Sequence, residues 1–373
     1  MLIGIDASRA LRAHRTGTER YSLELINALL DLNSGDRFRL YVPTPPPPKL
    51  FRPGAEIVVL PGRHLWTHTK LGPHTRAHPP DVLFVPAHVL PVIGPDNTVV
   101  TVHDLGYEHF PQAHPWRQRQ YLRWSTRRHV RVSKQVIADS HATKADLIAF
   151  YGADPDRIHV VHLAPDPALK PESDPARIAH VRASYGIPPG IDYILHIGTI
   201  HPRKNLERLV EAFALLRQRL PARKLHLVLA GGIALGGDAL RRKVQAMGLA
   251  DQVRFPGYVR VHDIPALYTG AACYALPSLN EGFGFPALEA QVCGVPLVCA
   301  HTSSLPEVAG EGACYFDPFD VVGMADAIDR VLTEPELRSE LIKRGRMNAQ
   351  RFSWEKTARA TLRVLALATS NKG

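Results

Sequence analysis

The chain has 373 residues, 45% hydrophobic and 21% charged, the composition of a globular protein of about two domains. A formal net charge of +10 and a pI near 9.6 suit an anionic partner: nucleic acid, a nucleotide diphosphate or an acidic membrane face. No apolar run is long enough to span a bilayer, and Cys273, Cys293, Cys299 and Cys314 lack C-x-x-C spacing, which excludes zinc ligation and a disulfide framework and leaves buried thiols in a reducing compartment.

Met1–Asp6 runs straight into a strand pattern and meets Asp6 too early for an apolar leader, so a cytoplasmic chain is expected. Apolar runs then alternate with helical patterns. In the first half, Leu2–Asp6, Phe38–Val42, Glu56–Leu60, Asp81–Val85, Thr98–His103 and Gln135–Asp139 read as strands, with helices at Glu19–Leu32 and Lys144–Tyr151. Pro45 to Pro48 mark a stiff surface loop. Trp116–Arg131 is basic, aromatic and helix-compatible; such a face suits an anionic membrane surface, though a solvated helix is the simpler reading. Asp154-Pro155-Asp156 has D-x-D form but reads as a turn, not as a metal site.

Ala164 to Pro175 is rich in proline and charge and reads as a linker. Beyond it, Asp192–Ile197, Leu225–Ala230, Val253–Phe255, Ala272–Leu276, Pro296–Ala300 and Cys314–Phe316 repeat the strand pattern. Asn205–Arg217, Asp238–Met247 and Pro286–Val292 are the intervening helices. Uninterrupted apolar strands between helices predict parallel sheets covered on both faces, an α/β class with doubly wound domains. In such folds ligands bind at the carboxyl ends of the strands.

Three strand-end loops carry chemistry. Gly198-Thr199-Ile200-His201-Pro202-Arg203-Lys204-Asn205 places two cations at the start of a helix, where the macrodipole opposes them; a bound phosphate reverses that penalty. In Asn280-Glu281-Gly282-Phe283-Gly284-Phe285-Pro286, the glycines admit close backbone approach. Glu281 and Glu289, eight residues apart, can bracket a polyhydroxylated ligand. Gly282-x-Gly284-x-x-Ala287 also matches a dinucleotide fingerprint, but Cys299-Ala300-His301-Thr302 lacks the acidic residue that reading needs. In Ser303-Ser304-Leu305-Pro306-Glu307, Ser304 and Glu307 have capping-box spacing, and the turn is read either as a helix cap or as a phosphate contact.

These loops, with Cys293-Gly294-Val295-Pro296-Leu297-Val298, resemble the retaining glycosyltransferases of family 4, of GT-B fold, in particular members of bacterial mannosyltransferase type. The likeness covers nearly the whole chain. It implies two Rossmann-like domains facing across a cleft: residues 1–168, with helix 354–373 packing back on them, for the acceptor, and 176–353 for the nucleotide sugar. Arg203 and Lys204 would hold a diphosphate and Glu289 the ribose. Glu281, with Gly282, Phe283, Gly284 and Phe285, would hold the transferred hexose, and Val259 would lie at the base. Gly198, Thr199 and Ser303 would lie by the phosphates.

In the first half, Thr16-Gly17-Thr18-Glu19-Arg20-Tyr21 is similar to the family's glycine-rich loop, with only Gly17 kept, to reach the diphosphate. Thr101-Val102-His103-Asp104-Leu105 resembles a V-H-D-L strand end, so His103 would touch the sugar and Asp104 orient His103. Ser140 would cap a helix, with Lys144 near the acceptor. His162-Leu163-Ala164-Pro165-Asp166 departs from the family's usual pattern before the linker.

The implied reaction moves a hexose, with a lean to mannose from GDP-mannose, onto a hydroxyl of a glycan or lipid-linked acceptor in polysaccharide biosynthesis. The leaving charge would fall to Arg203 and Lys204, so no metal and no further cofactor is expected. A nucleotide-sugar epimerase of the same fold and a non-catalytic nucleotide-sugar-binding relative are the alternatives. No nucleic-acid recognition motif is present in the sequence. The expected location is cytoplasmic, with contact at the inner membrane face through residues 116–131.

Overall fold

The computed structural model describes residues 1–12, 17–87, 89–234 and 236–370. Thr16 of the glycine-rich loop lies outside them. The chain divides into two compact units: Met1–Ala164 with Phe352–Gly373, and Pro165–Arg351.

The first unit holds seven strands: β1 (Leu2–Asp6), β2 (Arg37–Val42), β3 (Ala55–Val59), β4 (Val82–Val85), β5 (Thr98–Val102), β6 (Gln135–Ala138) and β7 (Ile158–Val160). Their order is β3-β2-β1-β4-β5-β6-β7, and every neighbouring pair is parallel. β4 (Val-Leu-Phe-Val) and the β-branched β5 (Thr-Val-Val-Thr-Val) are buried at every position, as strands covered by helices on both faces require. Helices α1 (Gly17–Asp31), α2 (Trp116–Val132) and α3 (His141–Tyr151) belong here. Ser140 caps α3 by accepting from Thr143 N, as its sequence position implies.

The second unit holds β8 (Asp192–Ile197), β9 (Leu225–Ala230), β10 (Val253–Gly257), β11 (Cys273–Leu276), β12 (Leu297–Ala300) and β13 (Ala313–Phe316). The order β10-β9-β8-β11-β12-β13 is again all parallel. Helices α4 (Leu206–Arg219) and α5 (Phe285–Val292) follow the two loops that carry Arg203, Lys204 and Glu281. Between β9 and α4's loop the backbones nearly touch: a Cβ on Gly231 would fall 2.0 Å from Gly198 O, and Gly231 has φ +139°. Only glycine fits there.

The last helix, α6 (Trp354–Ser370), belongs to the first unit. Trp354, Ala358, Thr361, Leu365 and Ala368 are buried at helical spacing, and Thr357 Oγ1 donates to His162 O at 2.8 Å. The four cysteines are free thiols, with Cys273, Cys293 and Cys299 buried, and burial pushes the Cys273 thiol up to about 12. Among the described residues no helix is long and apolar enough to cross a membrane.

Both sheets are therefore doubly wound, as the strand pattern predicts. In each, the order reverses beside the first strand of the unit, at β1/β4 and at β8/β11. Each reversal opens a crevice at the carboxyl ends of two strands.

Candidate active site

The β8/β11 crevice in the second unit gathers the cations. Pro202–Lys204 forms a tight 3-10 turn, and Asn205 takes a left-handed conformation (φ 57°) before α4 begins. This turn directs Arg203 and Lys204 toward the loop after β11. Arg203 Nη1 donates to Asn280 O and Glu281 Oε2, both at 2.7 Å. Lys204 Nζ lies 2.5 Å from Glu281 Oε1, which also accepts from Ser278 Oγ at 2.7 Å. Burial alone would raise the Glu281 pKa, but Lys204 and then Arg203 hold it well below the ordinary carboxylate range. The triad is thus one carboxylate against two cations, a net positive site with little solvent around it.

The Glu281 peptide is clamped from below. Ser303 Oγ donates to Glu281 O at 2.7 Å and accepts from Glu281 N and Asn280 Nδ2. Ser303 sits at φ 53°, a strained conformation for a residue with a Cβ. Ser304 Oγ is shared between Glu281 O and Phe283 O at 2.8 Å each. Ser304 therefore makes no side-chain cap bond to the short helix Leu305–Ala309, and the capping-box reading is corrected. The hydroxyl is drawn to the two loop carbonyls. Gly284 (φ +101°) then turns the chain into α5, a conformation that favours glycine. Phe283 and Phe285 pack edge to face at 5.5 Å.

Glu289 lies one turn into α5, nearly buried, and accepts from Tyr268 Oη at 3.1 Å. Tyr268 packs on Tyr274 at 5.0 Å, and Tyr274 Oη bonds the Ile197 backbone just before Gly198. Arg203, Lys204, Glu281 and Glu289 thus belong to one cluster in the second unit. Thr199 is exposed beside it. Val259 is buried after β10, and the adjacent Tyr258 is exposed.

In the first unit, Gly17 is exposed at the first position of α1. His103 is buried just beyond β5. Its Nδ1 lies 2.6 Å from Asp139 Oδ2 and its Nε2 2.9 Å from Pro86 O. An ionised Asp139 and the Pro86 carbonyl both accept, so with Asp139 ionised both ring nitrogens carry hydrogen, although burial also raises the Asp139 pKa. Burial opposes that charge, but Asp139 outweighs it and raises the His103 pKa. The carboxylate bonded to His103 is Asp139; Asp104 Oδ1 accepts from Gly106 N at 2.9 Å. Tyr21 packs edge-on against the His103 ring at 4.9 Å and bonds Thr101 Oγ1 at 3.0 Å.

Lys144, expected near an acceptor, donates to Pro155 O and Ile158 O at 2.8 Å each and braces the chain around β7. Asp154 caps the turn Pro155–Arg157, as a turn reading of Asp154-Pro155-Asp156 requires. A cavity of about 440 Å³ lies at the carboxyl ends of β1 and β4, lined by Asp6, Arg9, Arg12, Arg63, Trp66 and Tyr121 among others. Asp139, Ser278 and Tyr268 were not singled out in the sequence. Each lies inside or next to an apolar run, and its partner is remote in the chain.

Residues 178–348 match the family described as Glycosyl transferases group 1, and residues 15–169 match Glycosyltransferase Family 4. O-antigen chain mannosyltransferase B of Escherichia coli is 33% identical over 276 residues, 73% of this chain and 71% of that protein. A D-inositol 3-phosphate glycosyltransferase of Frankia alni is 35% identical over 246 residues, 64% of this chain and 60% of its own length. Among the solved structures, HepE of Anabaena in complex with UDP and glucose superposes with a TM-score of 0.74 at 19% identity, covering 98% of this chain and 99% of that one. WaaG, a glycosyltransferase involved in lipopolysaccharide biosynthesis, superposes at 0.71 and 18% identity over 100% of both chains. At such identities the superpositions speak for the fold, which is GT-B.

Proposed function

The chain belongs to glycosyltransferase family 4, and from that premise we propose that it transfers a hexosyl group from a nucleoside diphosphate sugar to an acceptor hydroxyl, with retention at C1. The observation that carries this is the Arg203–Glu281–Lys204 cluster at the β8/β11 reversal. A diphosphate entering there meets two cations in poorly solvated surroundings, where each is worth more than in water. It competes with Glu281 for them.

Glu289 accepts from the ribose hydroxyls. The Gly282–Phe285 backbone, held by Ser303 and Ser304, offers its N–H groups to the hexose. As the C1–O bond breaks, its electron pair passes to the β-phosphate oxygen, and Arg203 and Lys204 take up the developing charge. The acceptor oxygen forms its bond to C1 from the same face, and its proton goes to the departing phosphate. Two fixed cations make the chemistry metal-independent in this reading. His103, held by Asp139, contributes a positive charge on the acceptor side.

Mannose from GDP-mannose is the donor we favour, supported by the 33% identity to the Escherichia coli mannosyltransferase. The acceptor is a glycan or lipid-linked sugar at the inner membrane face. One stripe of α2 supports this: Arg117, Tyr121, Trp124, Arg128 and Val132 follow each other at helical spacing, with Tyr121, Trp124 and Val132 exposed. The stripe runs from Tyr121, at the 440 Å³ cavity, to Arg128 and Val132, at a second cavity of about 590 Å³ flanked by exposed Val92 and Ile93. Aromatic and aliphatic groups among arginines are the composition of an interfacial surface.

A thermal-shift panel of GDP, UDP and ADP with their sugars tests the donor. One base series should raise Tm in proportion to its affinity. A panel in which none does so removes the proposal.

A further inference from the structure

The ladder between β8 and β11 pairs only Cys273 with Ile194 and Tyr274 with Leu195. Beyond that the strands part, and side chains join them. His196 Nδ1 lies 3.0 Å from Ala275 O, while Tyr274 Oη bonds Ile197 N and O. A carbonyl only accepts, so the hydrogen of a neutral His196 ring is on Nδ1 and Nε2 carries a bare lone pair.

His196 is 0% exposed, and Nε2 has no hydrogen-bond partner. A Cβ placed on Gly198 would stand 3.2 Å from Nε2 and 3.8 Å from Lys204 Cε. The lone pair and the end of the Lys204 stem therefore flank the same point in the crevice floor. The ring stacks on Tyr274 at 6.1 Å, which fixes its plane. Burial, with a further push from Lys204, lowers its pKa to about 4, so it is neutral at physiological pH. Nearly all buried polar atoms have partners, and one left bare in a ligand crevice calls for a function.

We propose that His196 is a positioning residue for Lys204: it accepts an ammonium N–H when a nucleoside diphosphate draws Lys204 away from Glu281. The inference rests on the nucleoside diphosphate reading of this crevice. An ammonium has three N–H groups to satisfy. In the free protein Glu281 takes one and cancels much of the charge. With phosphate bound, a neutral acceptor satisfies a second N–H and leaves the charge on the ligand. A carboxylate at this position would neutralise Lys204 again, and a protonated imidazole would repel it.

Two variants separate the ring's functions. In His196→Asn the amide nitrogen replaces Nδ1 and keeps the bond to Ala275 O, but the crevice acceptor is gone. In His196→Gln the longer side chain returns an amide oxygen near the site of Nε2. Calorimetric Kd values for GDP and UDP, with donor KM and kcat, are the readout. His196→Asn should melt no lower than wild type, weaken the tighter diphosphate by about tenfold and raise donor KM, the loss of one hydrogen bond to a charged group. His196→Gln should recover affinity to within about threefold.

Independently of any variant, the 15N resonance of His196 Nε2 in the wild-type protein should shift upfield on saturation with the tighter diphosphate, as the lone pair accepts a hydrogen bond. Wild-type affinity in His196→Asn, or an unmoved Nε2 resonance, overturns the inference alone. A wild-type protein that binds neither GDP nor UDP overturns the diphosphate reading and this inference with it.

Discussion

Two histidines stand at the carboxyl edges of the two sheets, and their environments are opposites. His103, beyond β5, has an oxygen at each nitrogen, from Asp139 and the Pro86 carbonyl, and its pKa is raised, chiefly by Asp139 against burial. His196, near the end of β8, has one backbone acceptor and a bare lone pair, with Lys204 close by, and is held neutral. The same side chain is set by its neighbours to favour charge in one unit and to avoid it in the other. The second unit already has two cations. The crevice there needs acceptors that do not cancel them.

That contrast breaks most severely where the cations are removed. Arg203→Ala/Lys204→Ala leaves Glu281 buried without a counter-charge. A fall of about 10³-fold in kcat/KM is expected, with loss of nucleoside diphosphate binding. Steady-state kinetics beside a melting curve checks it; an active double variant would show that the leaving charge is stabilised elsewhere.

Removing the counter-ion in the first unit comes next. Asp139→Asn strands the His103 imidazolium, and a loss of about 3–5 kcal/mol in unfolding free energy is expected. Asp104→Asn should leave stability within about 1 kcal/mol of wild type, because Asp104 sits at a half-buried turn. Denaturant titrations of the pair discriminate Asp139 from Asp104 as the partner that matters.

The two histidines also give stability opposite pH dependences. From pH 6.5 down to about 4 the unfolded chain binds a proton at His196 that the folded chain refuses, so stability falls as pH falls. A shift of that size corresponds to about 3 kcal/mol across the window. His103 has a raised pKa, so its contribution is complete below the ordinary histidine value of 6.5 and is lost as pH rises through the folded value. Tm against pH should lose its alkaline fall in Asp139→Asn and its acid fall in His196→Asn. Profiles unchanged in both variants would assign the titrations to other groups.

At the donor site, a smaller effect than that of the cations is expected at Glu289. Glu289→Ala should raise donor KM about tenfold to hundredfold, the worth of hydrogen bonds to a charged acceptor, with kcat nearly unchanged. A fall in kcat at constant KM would place Glu289 at the reacting centre instead of the ribose.

The contrast between the histidines also marks where sequence reasoning stops. The strands were legible because β4 and β11 are unbroken apolar runs, and β5 and β9 nearly so, bounded by turn residues. β7 follows directly on the Asp154-Pro155-Asp156 turn, which marks where it begins although its three residues carry little pattern of their own. Gly198 to Asn205 and Glu281 to Glu289 were legible as ligand loops because glycine, cations and acids stand where strands end. What those cations bond to was not. Arg203 and Glu281 are 78 residues apart, and nothing local couples them.

The carboxylate at His103 Nδ1 comes from Asp139 at the edge of β6, 36 residues away in the chain, and nothing local announces it. His196 hid inside an apolar strand, where a polar residue reads as an interruption. Ser304 had cap spacing, and only the fold shows two carbonyls competing for its hydroxyl.

The central claim is that a diphosphate is gripped by Arg203 and Lys204 against the pull of Glu281. A crystal structure with GDP or UDP bound tests it most directly. Phosphate oxygens should lie about 2.7–3.0 Å from the Arg203 guanidinium and Lys204 Nζ, with the Lys204–Glu281 contact lengthened and Glu289 on the ribose. A nucleotide bound away from the β8/β11 crevice, with the Arg203–Glu281–Lys204 cluster intact, would contradict it.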